Sequence, residues 1–196
     1  GYTNMLTALD LAGIPLHAAD RGDDDPIVLA GGHSAFNPEP IADFLDAAVL
    51  GDGEEIVLAI SEVVREWKDE GRPGGRDEVL MRLAKSGGVY VPKFYDVTYL
   101  PDGRIQRVVP NRPGVPWRVA KHTLMDLDSW PYPKNPLVPL AETVHERFSV
   151  EIFRGCTRGC RFCQAGMITR PVRERSIETI GAMVEGGLRS TGLEEI

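Results

Sequence analysis

Cysteine is nearly missing from this chain of 196 residues: three occur, all between positions 156 and 163. An odd set gathered in one short window excludes a disulfide framework. No apolar run approaches the length of a membrane span, and no basic-then-apolar leader opens the chain. The cytoplasm is the expected compartment, with no membrane partner. What is present suffices for a soluble, cored protein: 42% of residues are hydrophobic, and 22 Lys and Arg against 29 Asp and Glu leave a net charge of -7. The length allows one or two domains.

The cysteines stand as Cys156, Cys160 and Cys163 in Arg-Gly-Cys-Thr-Arg-Gly-Cys-Arg-Phe-Cys-Gln-Ala-Gly. A C-x3-C-x2-C loop can turn three thiolates toward one point, which suits three corners of a four-iron, four-sulfur (4Fe-4S) cluster and leaves the fourth iron open. Structural zinc would need a fourth protein ligand, usually a second C-x-x-C or a histidine pair at finger spacing, and neither is present. A complete ferredoxin-type cluster would need a fourth cysteine. Buried thiols acting as small hydrophobes, or a partial zinc knuckle, are the plainer alternatives. The spacing favours the cluster with an exposed iron.

With Phe162 just before the third cysteine, this stretch resembles the signature of the radical S-adenosylmethionine superfamily. The resemblance implies a 4Fe-4S cluster on Cys156, Cys160 and Cys163, S-adenosylmethionine chelated to the open iron, and adenine held by backbone at Phe162. It further implies reductive cleavage of S-adenosylmethionine to methionine and a 5′-deoxyadenosyl radical that abstracts hydrogen from an unactivated carbon. A one-electron reductant of the flavodoxin or ferredoxin type is the implied partner. No general acid or base stands out, and the family's glycine-rich cofactor motif is expected beyond Ile196.

Residues 1–85 read as alternating helices and strands. Met5, Leu6, Leu9 and Leu11 mark a first helix, capped by Thr3 or Asn4 and ended by Gly13 and Pro15. Ile27–Ala30 and Ala47–Leu50 are short apolar runs of the kind buried on both faces of a parallel sheet. Asn37 and Pro38 predict a helix start between them. Ile56, Ile60, Val63, Val64 and Trp67 share one helical face after Gly51-Asp52-Gly53, a turn that fits helix capping better than phosphate binding because Asp52, Glu54 and Glu55 would repel an anion. Gly31-Gly32 at a strand end and the Gly51 turn resemble the later half of the cobalamin-binding Rossmann-like domain that precedes the radical barrel in one subgroup. Gly31 and Gly32 are then candidate ligand-contact positions. The Asp-x-His-x-x-Gly loop that carries the cobalt ligand is absent from this sequence, so cobalamin stays an open alternative. His33 reads as an ordinary loop histidine, and Asp23-Asp24-Asp25 as a solvated loop.

Residues 86–147 read as a strand (Val89–Val91), a hairpin turning at Pro101-Asp102-Gly103, and a connector with prolines at 110, 113, 116, 131, 133, 136 and 139. Trp117, Trp130 and Tyr132 could stack on bases, but no dense basic stripe accompanies them, and packing against a domain is the favoured reading. Residues 148–196 resemble the first β/α unit of a radical SAM partial TIM barrel: a strand over Phe148–Phe153, the cysteine loop at its C-terminal end, then a helix capped by Ser176 with Ile177, Ile180, Val184 and Leu188 inward. Gly192 ends that helix, and Leu193 begins a second strand. From Arg154 to Arg175 there are six arginines and one acid. Such a fringe would raise a cluster's potential and attract an anionic substrate such as RNA, or serve structure by pairing with carboxylates. Within it, Thr169–Ser176 also resembles the segment that follows the cluster in the methylthiotransferase branch.

With no initiator methionine and barely one β/α unit, the chain reads as a fragment of a larger enzyme, inactive by itself. The rival from another class is a non-catalytic interaction module whose cysteine loop binds zinc, with His145 or a partner as fourth ligand.

Overall fold

The computed structural model of the chain describes residues 2–141 and 144–196, beginning with helix α1 (Tyr2–Leu11). Thr3 and Asn4, the expected caps, lie inside α1. Tyr2 Oη donates to the carbonyls of Ser34 and Asn37 at 2.9 and 2.8 Å, tying the helix to the segment after the first strand.

A small mixed sheet follows: β1 (Leu29–Ala30), β2 (Ala47–Val49) and β3 (Val89–Tyr90), in that order. β1 and β2 are parallel, as the buried runs predict, but β3 is antiparallel to β2. The sheet is therefore mixed and not the open parallel sheet expected from the sequence. Two helices, α2 (Glu54–Asp69) and α3 (Gly75–Lys85), connect β2 to β3, and a helical pair returns the chain to the end of the sheet it left. The segment after Asn37 is a 3-10 helix, Glu39–Phe44, rather than an α-helix. Pro38 and Pro40 withhold two backbone donors from this short stretch.

Period-two alternation divides the core between the two faces of the sheet. Ala47 and Val89 join Ile56, Ile60, Leu80, Leu83, Val91 and Phe94 on the helix side. Ala48 and Tyr90 join Ala35, Ile41 and Leu45 on the other. The hairpin β4 (Tyr95–Tyr99) and β5 (Ile105–Pro110) forms as its Pro-Asp-Gly turn dictates. Backbone pairing continues beyond the strands: Leu50 N donates to Gly88 O at 2.7 Å, and His122 N to Leu50 O at 2.8 Å.

The chain divides into two compact units, Gly1–Thr123 and Leu124–Ile196, against the three segments 1–85, 86–147 and 148–196 read from the sequence. β3, the hairpin and the first part of the proline-rich stretch belong to the first unit. Phe94 is fully buried there, and Tyr95 Oη donates to Pro116 O at 2.7 Å. Trp117, expected to pack, is 76% exposed, whereas Trp130 and Tyr132 are half-buried.

The second unit carries β6 (Phe153–Arg154), α4 (Ala165–Ile168), β7 (Arg173–Glu174) and α5 (Ile177–Thr191). The strand expected over Phe148–Phe153 is only its last residue and the next, paired antiparallel with β7. Leu193 begins no assigned strand, although Phe148 N donates to Glu195 O at 2.8 Å. Ser176 caps α5 as read, its Oγ accepting from Thr179 N at 3.2 Å, and Gly192 closes the helix. The inward stripe is rotated toward Met183 and Gly187, and Ile177 is 83% exposed. Phe148 packs on this face, its ring occupying the space that any side chain at Gly187 would need.

Candidate functional site

The cysteine loop leaves β6 directly. Gly155, at φ +91°, makes the turn, and a Cβ there would stand 2.5 Å from Pro171 O. The loop thus starts pressed against the strand-entry segment at Pro171–Val172, an approach only glycine permits. Cys156 and Cys163 are half-buried and Cys160 is exposed, all three as free thiols. Arg158 N donates to Cys156 Sγ, and Gly166 N to Cys163 Sγ, each at 3.4 Å. Buried Gly166 lies between these two cysteines: a Cβ built on it would be 3.7 Å from both Cys156 Cβ and Cys163 Sγ. Cys163 N donates to Cys160 O at 3.1 Å, closing the C-x2-C turn. Phe162, at the tip, is 92% exposed.

Among the described residues no three His, Cys, Asp or Glu side chains are drawn together at metal-ligand spacing, neither the cysteines themselves nor the cysteines with His145. The donor set nonetheless fits a 4Fe-4S cluster: three sulfurs on one loop, no carboxylate beside them in sequence, and backbone donors at two of the three, the kind of hydrogen bond that tunes cluster potential.

The arginine fringe is largely spent on structure. Arg173 and Arg175, two apart on an extended segment and both buried, point the same way. Arg173 donates to Leu124 O at 2.8 Å, Thr169 O at 3.0 Å and Pro171 O at 3.1 Å. Arg175 donates to Leu127 O and to Glu151 Oε2, the latter at 2.9 Å. Arg154 pairs with Glu151 Oε1 at 2.7 Å. Burial pushes the Glu151 carboxyl up, but the guanidinium groups of Arg154 and Arg175 outweigh it and hold the group below the usual carboxylate range. Arg170 donates to Cys156 O at 3.0 Å and Arg158 O at 2.8 Å. Four of the six arginines therefore fix the loop, its flanks and the connector. The period-two spacing of Arg173 and Arg175 around exposed Glu174 was the signal for two inward cations.

In the first unit, Gly31 and Gly32 follow β1 at the carboxyl end of its parallel pair with β2, both exposed, and no atom outside their immediate neighbours would meet a Cβ within 4 Å. His33 is exposed beside them. The Asp23-Asp24-Asp25 loop is bonded rather than merely solvated. Asp23 Oδ1 accepts from Arg76 N at 2.6 Å at the start of α3, Asp24 pairs with Arg72 at 2.6 Å, and Asp25 Oδ2 accepts from Gly22 N at 2.8 Å. His122, lacking ligand spacing in sequence, has Nε2 2.7 Å from Glu55 Oε2.

Sequence reading missed the buried triad Arg21–Asp46–Arg76. Asp46 accepts from Arg21 Nη1 at 2.9 Å, from Arg76 Nε and Nη2 at 3.0 and 2.8 Å, and from Val28 N at 2.7 Å. Both arginines spend their other donors on loop carbonyls, among them Pro15, Leu16, Gly22 and Pro26. So fully satisfied a cluster holds loops together and leaves no group for chemistry. It borders a cavity of about 650 Å³ walled by Tyr95, Val97 and Tyr99, the alternate residues of β4.

Residues 1–92 match a family model described as radical SAM proteins, N-terminal. An uncharacterized protein of Methanocaldococcus jannaschii is 25% identical over 179 residues, which is 90% of this chain and 32% of that protein. The chain thus spans about a third of that relative's length. No solved structure matches. Among the described residues no helix is long and apolar enough to cross a membrane.

Proposed function

We propose that this chain is the N-terminal part and cluster loop of a radical S-adenosylmethionine enzyme, with Cys156, Cys160 and Cys163 as the three protein ligands of a 4Fe-4S cluster. The observation that carries the reading is one loop, issuing from β6, that presents three thiols and supplies backbone N–H donors to two of them. The match of residues 1–92 to the N-terminal region of radical SAM proteins supports it independently, because that match lies wholly outside the cysteine loop.

When bound, such a cluster supplies the electron for reductive cleavage of S-adenosylmethionine, drawn from a flavodoxin- or ferredoxin-type donor. The residues of this chain bind and orient. The cysteines hold iron, and exposed Phe162 leaves the backbone before Cys163 open to the adenine of the nucleotide. Gly31 and Gly32 offer unobstructed backbone at the end of β1, suited to a second ligand that must approach closely.

Anaerobic reconstitution with iron and sulfide tests this directly. The expected product is a brown protein with broad absorption in the blue and, on reduction, an electron paramagnetic resonance signal that changes when S-adenosylmethionine is added. With the whole protein, a strong reductant should then release 5′-deoxyadenosine. A colourless protein that holds stoichiometric zinc on the same cysteines would overturn the proposal in favour of an interaction module.

A further inference from the structure

Arg170 grips the first turn of the cysteine loop. Its Nε donates to Cys156 O and its Nη2 to Arg158 O, at 3.0 and 2.8 Å, so one planar fork holds the carbonyls of two residues two apart. The N–H of Arg158 points to Cys156 Sγ. The turn is therefore held on its acceptor side by Arg170 and on its donor side by its own thiol. Neighbours fix the position of Arg170 in turn. Thr169 N donates to Ala165 O at the end of α4, and Thr169 O accepts from buried Arg173. Pro171 O accepts from Arg173 Nε and lies where a side chain at Gly155 would have to go. Two strands of contact, through α4 and through β7, converge on the residue that holds the loop.

We propose that Arg170 is the positioning residue of the three-cysteine loop, setting the turn from Cys156 to Arg158 and so the direction in which the first thiol is presented. Only a guanidinium can do this with one side chain, since its donors lie in a fixed plane, whereas lysine is a single charged point on a flexible stem. The consequence for cluster assembly rests on the proposed function; the holding of the loop does not, because every contact in it is between protein atoms.

Two measurements separate these. In the metal-free, reduced protein, alkylation of each cysteine by iodoacetamide is followed by mass spectrometry. In the wild type, exposed Cys160 reacts fastest. Both R170Q and R170K should raise the rate at Cys156 roughly five- to tenfold, as loss of two charge-assisted hydrogen bonds opens the turn more often, with the far-UV circular dichroism of the protein unchanged. G155A, which forces the loop and the Arg170-Pro171 segment apart while leaving the Arg170 side chain in place, should do the same. Rates at Cys156 within twofold of wild type in both Arg170 variants overturn the proposal, as does an effect confined to R170Q, which would mean that charge alone matters. In the second measurement, anaerobic iron and sulfide are added: the variants should hold less iron per chain and show a broadened resonance signal after reduction. Equal loading with identical spectra also overturns the proposal. Wild-type protein that takes up no iron and sulfide overturns the reading of the loop as a ligand set, and the alkylation rates then decide the role of Arg170 by themselves.

Discussion

Gly51 shows how much one residue carries. It sits at φ +112° beside His122, whose carbonyl a side chain at this position would overlap, and the adjacent Asp52 N donates to that same oxygen at 3.0 Å. Substitution combines backbone strain with a clash against main chain that cannot rotate away. Gly51→Ala should therefore cost about 3 kcal/mol or more, read from urea unfolding followed by the fluorescence of buried Trp67. A loss under about 1 kcal/mol would show instead that residues 121–123 shift freely. In the sequence this glycine reads as part of a loop entering a helix. Its true partner lies 71 positions away by residue number, and no local pattern identifies such a neighbour. Asp46 was invisible for a related reason: it follows Leu45 as any surface acid might, and only the fold brings Arg21 and Arg76 to it.

At the scale of elements, the signals that succeeded were those whose physics is local. The face of α2, the Pro-Asp-Gly hairpin, and the Ser176 cap of α5 each depend on residues within one turn or one strand pair. Replacing Ser176 by Ala removes the acceptor for Thr179 N and should cost about 1 kcal/mol, seen as faster hydrogen exchange of the first-turn amides of α5; unchanged exchange would mean that Asp128, which accepts from Ser176 N, anchors the helix start by itself. Elements that depend on a distant partner were less legible. Val89-Tyr90 is a strand as expected, but its local pattern could not show that its neighbour is β2, across two helices. Phe148–Ile152 alternates as a strand should, yet only Phe153 and Arg154 find pairing in β7. The cysteine loop was legible in its residues and in its place after a strand. Arg170 was legible only as charge, because what it binds is backbone.

For the molecule as a whole, pH discriminates between its parts. Burial, with the hydrogen bond to Glu39 and the charge of that carboxylate, pushes the Tyr90 hydroxyl well above its ordinary value of 10.0. A group whose folded value exceeds its unfolded one stabilises fully below the unfolded value and loses that stabilisation as pH climbs beyond it. The first unit should thus weaken above about pH 10, with Tyr95, also raised by burial, adding to the slope. Tyr90→Phe should flatten the alkaline fall in stability while lowering stability at neutral pH, where Glu39 loses its donor. An alkaline denaturation curve for the variant as steep as that of the wild type would rule out Tyr90 as the cause.

The contact between Gly51 and His122 bears on biosynthesis. The match to radical SAM N-terminal regions ends at residue 92, before Phe94, Val115 and His122 have joined the structure that depends on them. A ribosome that has just exposed residue 92 has therefore released strands and helices with an unfinished interior, and the nascent polypeptide must wait some thirty residues more before that interior can close.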